Sequence, residues 1–162
     1  GGHYGLSGGR LRQLIDGGLS CEEVVEEAEV FADSMKTFFV LEDLSNLVKN
    51  GRISKVAGLM GTMLCIRPIM GENGHGEIIQ LDKVRGTQNA LRRLVEIVNN
   101  ALASHPAKSL VLVLSHCNCP DRATALRESL LAGCAALREV IVVPTGGVST
   151  VYANDGGVVL AV

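Results

Sequence analysis

The side chains best suited to chemistry in this sequence fall in three places. The first is the tetrapeptide His116-Cys117-Asn118-Cys119, which follows Ser109 to Ser115, a continuous apolar run that reads as a buried strand. Open α/β folds place their ligands beyond the carboxyl ends of such strands, so a thiol and an imidazole here raise the prospect of catalysis or metal binding. Cys-x-Cys is not the Cys-x-x-Cys spacing of a zinc knuckle or redox pair, however, and no second Cys/His pair sits at a ligand-like distance. A catalytic cysteine would need a His or an acid delivered from elsewhere by the fold. The competing reading is a strand-to-helix turn in which His116 bonds nearby backbone.

The second place is Val84-Arg85-Gly86, just ahead of a strong helical pattern. A cation there opposes the helix dipole, whereas anions are favoured at helix N-termini. Arg85 is therefore explained by a bound anion or an acidic partner, or else it is simply solvated. The third place runs from Val48 to Leu64. A turn at Gly51 carrying Arg52 and Ser54 opens into a helical pattern in which Val56, Leu59, Met60, Met63 and Leu64 form one apolar stripe. Ala57, Gly61 and Cys65 form a second stripe of little volume. A ligand with an anionic head and a greasy tail fits this layout. So does a buried helix packed on a sheet, with Gly51 as its predecessor's C-cap and Arg52 in solvent.

Composition narrows the classes. The 162 residues suffice for one well-buried domain and are too few for two comfortable ones. Hydrophobic residues make up 47% and mean hydropathy is +0.28, yet the longest clear apolar run, Leu110 to Leu114, is far too short to span a bilayer. The apolar content belongs to a core. No charged-plus-apolar export pattern opens the sequence, so a cytoplasmic location is expected. A net charge of −2 with two Tyr, three Phe and no Trp argues against a nucleic-acid surface. The five cysteines are odd in number and sit mostly within apolar or helical patterns, which suits reduced thiols.

These residues need elements to position them. Residues 1–9 are Gly-rich and read as a linker, a cloning remnant or the edge of something larger. Arg10 to Gly17 can start a helix that Gly17-Gly18 ends. Ser20 and Glu23 form a capping box for a helix burying Val24, Val25, Ala28, Phe31 and Ala32. Strands are expected at 36–41, 65–70, 77–84, 109–115 and 139–144, with a hairpin loop at 71–76. Thr150 to Ala153 is expected to pair with Val158 to Val162 across a Gly-rich turn. Helices are expected at 43–49, from about 52, at 87–104 and at 121–132, where Pro120 suits the first position. Helices alternate with strands while hairpins interrupt the alternation. The expectation is an α/β domain with α+β character, a mixed sheet with helices packed on it.

Taken in order, Leu41-Glu42-Asp43-Leu44, Leu47-Val48-Lys49-Asn50-Gly51-Arg52-Ile53-Ser54, Ile66-Arg67-Pro68-Ile69, Leu81-Asp82-Lys83-Val84-Arg85-Gly86 and Ser115-His116-Cys117-Asn118 resemble the DegV family of bacterial fatty-acid-binding proteins. The likeness covers nearly the whole chain after the first residues. It implies a non-enzymatic carrier, without cofactor or metal, that holds a long-chain fatty acid and presents its carboxylate to a fatty acid kinase. It further implies that residues 10–162 are the C-terminal, tail-enclosing domain of a two-domain protein whose N-terminal domain holds the carboxylate. Under this resemblance Arg52 and Arg85 match family arginines near the pocket mouth and the partner-facing surface. Tyr152 stands where the family commonly has His, and Asn154-Asp155 where it usually has Gly-Pro. The residues expected to bind ligand are Arg52, Ser54, Val56, Leu59, Met60, Met63, Arg85 and Tyr152. The alternatives are a regulatory or dimerisation module without lipid, and an enzyme using His116, Cys117 or Cys119.

Overall fold

The computed structural model describes residues 9, 11–51, 53, 65–105 and 109–162. Residues 11–16 are helical and stop at Gly17-Gly18, where the two glycine amides donate to Gln13 O and Ile15 O, each at 3.0 Å. Helix α1 (Cys21–Ser34) begins with the expected capping box. The Ser20 amide donates to Glu23 Oε2 at 2.8 Å, and Ser20 Oγ accepts the Glu23 amide at 3.4 Å. These bonds hold the Glu23 carboxyl below its usual range. Burial on α1 is thinner than the apolar spacing suggests: Val24 is buried, Ala28 and Phe31 are half-buried, and Val25 is 52% exposed. No residue of α1 joins either core cluster, so the helix covers one narrow stripe and leaves Val25 in solvent.

Six strands form one sheet: β1 (Thr37–Val40), β2 (Ile66–Glu72), β3 (Ile78–Arg85), β4 (Leu110–His116), β5 (Leu137–Pro144) and β6 (Val158–Ala161). Their order is β3-β2-β1-β6-β4-β5. Among the described residues β4 and β5 run parallel, and the other neighbouring pairs are antiparallel. This is the mixed sheet that the alternation of elements predicts. Pro68, which cannot donate to a ladder, pairs with Lys83 of β3 on one side. On its other side the register with β1 ends at Met70, so β2 is locally an edge there.

Helices α3 (Thr87–Ala103) and α4 (Pro120–Gly133) pack on one face. Ala90, Leu91, Leu94, Val98 and Leu102 of α3, with Ala123, Leu126 and Leu130 of α4, follow helical spacing. They meet Phe38, Val40, Ile69, Leu112, Leu114, Val158 and Leu160, the alternate residues of the strands. Each Leu, Val, Ile or Phe among them, fully buried, contributes about 1.5–3 kcal/mol of hydrophobic stabilisation. The opposite face carries Phe39 and Met70, joined by Leu41, Leu44, Leu47, Ile53, Cys117 and Ala153. The described helices there are two short ones, α2 (Ser45–Lys49) and α5 (Val148–Ala153). Gly51, at φ +66°, takes the left-handed position after α2 that the sequence assigns to it.

One expected element is replaced. Thr150 to Ala153 is not a strand paired with the C-terminal strand but the second half of α5. β6 already has β1 and β4 as neighbours, leaving no free edge. The segment satisfies its backbone locally instead, with Thr150 N–H on Gly147 O and Asn154 N–H on Thr150 O.

Candidate functional site

The face that the described residues cover only in part holds the site. Strand register aligns Met70, Phe39, Val159, Ser115 and Val143 in one lateral row across β2, β1, β6, β4 and β5. A cavity of about 470 Å³ lies over this row, with Phe39, Val159, Ser115 and Val143 in its floor. Leu41 and Leu47 wall it on one side, and Ser149, Tyr152 and Ala153 of α5 on another. Glu72, Gly76 and Ile78 bound it beside β2 and β3, and Pro144, Thr145 and Gly146 beside β5. Thr37 and Glu72 lie two residues from the row in one direction, and Leu41 and Thr145 two residues from it in the other. At about 4.8 Å per strand and 3.4 Å per residue, the diagonal from Glu72 to Thr145 is ~24 Å. The cavity is thus an elongated, largely apolar groove in the size range of ordinary ligand pockets.

Its polar groups are few. Glu72 Oε1 accepts the Thr37 amide at 3.1 Å. Thr150 Oγ1 donates to Thr145 Oγ1 at 3.2 Å, and the Thr145 amide donates to His116 O at 2.8 Å, fixing the turn between β5 and α5. Ser115 is 5% exposed, the one buried polar residue among the described residues.

Of the residues singled out from the sequence, Tyr152 lines this cavity. Arg85 does not: it is exposed at the end of β3, with no ion pair from its guanidinium among the described residues. Its carbonyl instead accepts Asn89 Nδ2 at 2.9 Å. Arg52, Ser54, Val56, Leu59, Met60 and Met63 lie outside the described residues, as does the helix expected from about residue 52. Phe39, Val159, Ser115, Val143, Glu72 and Ser149 were not singled out from the sequence. β4 reads as one unbroken apolar run, which hides which alternate residues face the groove. The available signal was Ser115 itself, a hydroxyl inside that run.

The His-Cys-Asn-Cys segment is a strand-to-helix turn. Cys119 N–H donates to His116 Nδ1 at 3.3 Å, and Asn118, at φ +52°, donates from Nδ2 to Asp155 Oδ1 at 2.8 Å. Cys117 N–H donates to Gly157 O at 2.9 Å, and Gly156 N–H to Cys117 O at 2.8 Å. A Cβ at Gly157 would lie 2.1 Å from Ala153 O, so only glycine lets this turn close. Burial pushes the Cys119 thiol up, outweighing the nearby Arg122 charge, which is the wrong direction for a nucleophile. No group of three or more His, Cys, Asp or Glu among the described residues could hold a metal ion.

A charged brace stands beside the groove. Glu42, next to the lining residue Leu41, accepts Arg67 Nε at 2.7 Å, Arg122 Nη1 at 2.9 Å and Thr87 Oγ1 at 3.2 Å. Arg122 also donates to Gly156 O. Burial alone would push the Glu42 carboxyl up, but the hydrogen bonds and charges of Arg122 and Arg67 outweigh it and hold the group below its usual range. No helix among the described residues is long and apolar enough to cross a membrane.

Known proteins share this architecture. A DegV family protein from Ruminococcus gnavus, whose crystal structure was refined with vaccenic acid, superposes with a TM-score of 0.86 at 37% identity, covering 94% of this chain and 53% of that one. The Streptococcus pneumoniae Fatty Acid Kinase (Fak) B3 protein, loaded with linoleic acid, superposes with a TM-score of 0.82 at 31% identity over 99% of this chain and 56% of that one. A DegV domain-containing protein of the same species is 32% identical over 161 residues, 99% of this chain and 55% of its own length. The chain therefore spans about half the length of the relatives it matches. The family model described as "Uncharacterised protein, DegV family" matches residues 3–162, and with a sheet, a groove and relatives of this kind the chain belongs to the DegV family.

Proposed function

We propose that this chain binds a long-chain fatty acid in the groove over the second face of the sheet. The carboxylate is then presented to a fatty acid kinase partner, and the chain catalyses nothing itself. The observation that carries this reading is the groove: long, narrow, apolar along its floor, and roofed among the described residues by two short helices. The two fatty-acid-loaded relatives support it. At about 0.8 kcal/mol per methylene, burying a long acyl chain supplies a gross gain on the order of 10 kcal/mol, enough for tight capture after the freedom lost on binding.

The charge distribution orients the ligand. A carboxylate at the Glu72 corner would meet a like charge, so the tail points toward Glu72 and Ile78 and the head toward Tyr152. The Tyr152 phenol offers a hydrogen bond to the head but cannot become cationic as a histidine can. Arg52 and Ser54 complete the head site in this proposal, and Val56, Leu59, Met60 and Met63 cover the tail. Exposed Arg85 faces the kinase. The half-length match supports residues 10–162 as the tail-enclosing part of a two-domain carrier, with a separate N-terminal domain holding the carboxylate and residues 1–9 as the linker. A cytoplasmic location fits such a carrier. The geometry of the His116–Cys119 turn favours no thiol chemistry.

Denaturing extraction of the purified chain followed by mass spectrometry tests the proposal. Fatty acid at near-stoichiometric yield is the expected result. A chain that is lipid-free and fails to bind octadecanoic acid in calorimetry overturns it.

A further inference from the structure

Where the groove ends beside β2 and β3, its wall is charged. Glu72 lines it there with Gly76 and Ile78, at the corner diagonally across from Thr145. The carboxylate is held in place yet uncompensated. Oε1 accepts the Thr37 amide at 3.1 Å. Oε2 has no donor among the described residues, and the half-buried side chain leaves that oxygen open to solvent. No Lys, Arg or His forms an ion pair with Glu72 among the described residues. Glu42 makes the contrast: there two guanidinium groups and a hydroxyl replace the water that burial removes. An apolar tail pressed against Glu72 expels the water at Oε2 and offers no donor in return. Stripping a carboxylate of solvent without a replacement is costly, and swinging the side chain outward breaks its bond to the Thr37 amide.

We infer that Glu72 is the residue that reads the far end of the bound chain. It stops a methyl end short of this corner and accepts an end that carries a hydrogen-bond donor, as in a chain hydroxylated at its last carbon. This rests on the fatty-acid reading above and on the orientation that sends the tail toward Glu72. Two effects oppose each other as the chain lengthens. Each methylene that leaves water for the groove adds about fourfold to affinity until the end reaches Glu72. There the lost solvation of a charged oxygen outweighs the gain from one or two more methylenes. Such a limit differs from a steric wall, which stops every chain of a given length whatever its end group. A terminal hydroxyl donates to Oε2 instead, and hydrogen bonds to a charged acceptor are about twice as strong as neutral ones.

The test is competition titration of the chain and its Glu72→Gln variant against a fluorescent fatty acid. The competitors are straight saturated acids of 12 to 22 carbons and the same acids hydroxylated at the last carbon. Gln keeps the size and an acceptor for the Thr37 amide while removing the charge. Wild-type affinity should rise about tenfold or more with each added pair of carbons and then stop rising at one length. From that length on, the hydroxylated acid should bind the wild type about ten- to a hundredfold tighter than the plain acid. Glu72→Gln should carry the rise at least one pair of carbons further and cut the hydroxyl preference at least threefold. A plateau at the same length in both proteins overturns the inference, as does a hydroxyl preference that Glu72→Gln retains in full. Should the variant not fold, the wild type decides alone: a series without a plateau, or plain acids preferred at every length, overturns it. If no acid of either series binds folded protein, the fatty-acid reading itself fails. If the acids bind and Glu72 leaves no mark on the series, only the assignment to Glu72 fails.

Discussion

Glu42→Gln isolates the electrostatic part of the brace beside the groove, because it keeps the shape and an acceptor while removing the charge. The carboxylate serves three donors, and both guanidinium partners are about as sheltered as it is: side-chain exposure is 25% for Glu42, 26% for Arg67 and 25% for Arg122. Exposed ion pairs are worth less than about 1 kcal/mol, and breaking fully buried ones costs about 3–5 kcal/mol. A quarter-exposed pair of pairs falls between, at about 2 kcal/mol. For a chain of this size that is a loss of about 4–8 °C in Tm at neutral pH. The sign of the pH dependence follows from the direction of the shift. The folded state holds the Glu42 carboxyl below its unfolded value of about 4.3, so its stabilisation is complete above that pH and fades as pH falls through the lower, folded value. Thermal melts of wild type and Glu42→Gln at pH 7, 5, 4 and 3 should show a deficit that is constant from pH 7 to 5 and shrinks toward pH 3. A variant within about one degree of wild type at pH 7, or a deficit unchanged at pH 3, would refute the assignment of a working charge to this brace.

Three further outcomes follow from the same structure. With iodoacetamide under native conditions, exposed Cys21 and Cys65 should be alkylated before buried Cys117 and Cys134 and the half-buried, pKa-raised Cys119, as read by peptide mass spectrometry. Cys117→Ser with Cys119→Ser should bind octadecanoic acid like the wild type. Arg85→Ala removes an exposed side chain with no ion pair among the described residues, so Tm should move by about one degree or less, while in the proposed two-domain protein kinase-dependent phosphorylation of bound lipid should fall several-fold. A large loss of Tm with phosphorylation intact would make Arg85 structural.

What was legible in the sequence was what repeats or punctuates. The 3.6-residue spacing from Ala90 to Leu102 marks α3 and its buried face together. The Ser20/Glu23 box, the Gly17-Gly18 stop and Gly51 after α2 are local backbone chemistry, and each stands where expected. Asn73-Gly74-His75-Gly76 closes its hairpin through the Asn73 side chain, which accepts the His75 and Glu77 amides. The failures are non-local. Thr150 to Ala153 has strand-like composition, but β6 had no edge to offer it. Val25 has core-like spacing, but no second surface meets that side of α1. The groove residues escaped for a related reason: Phe39, Val159, Ser115 and Val143 are far apart in sequence and become neighbours only through strand order, which periodicity within one segment does not report.

The unequal treatment of the two sheet faces bears on how such a domain holds a ligand and stays folded. The face under α3 and α4 is closed by long helices at full register, and its core residues Leu94, Leu112, Leu114 and Leu160 are completely buried. Stability generated there does not depend on what fills the other side. On the groove face, Val159, Ile78 and Tyr152 are only partly buried by the described residues, which leave apolar surface open beside a small cluster. Glu42 joins the two arrangements. Its donors come from β2 and from the first turns of α3 and α4, and its chain neighbour Leu41 is a groove wall. The wall is thereby anchored to the finished core and not to the ligand. On the proposed reading, a wall anchored in this way is ordered before the acyl chain enters, and a preordered site loses less affinity to ordering. Ligand on that reading adds to stability by mass action, raising Tm with ligand concentration as RT ln(1 + [L]/Kd).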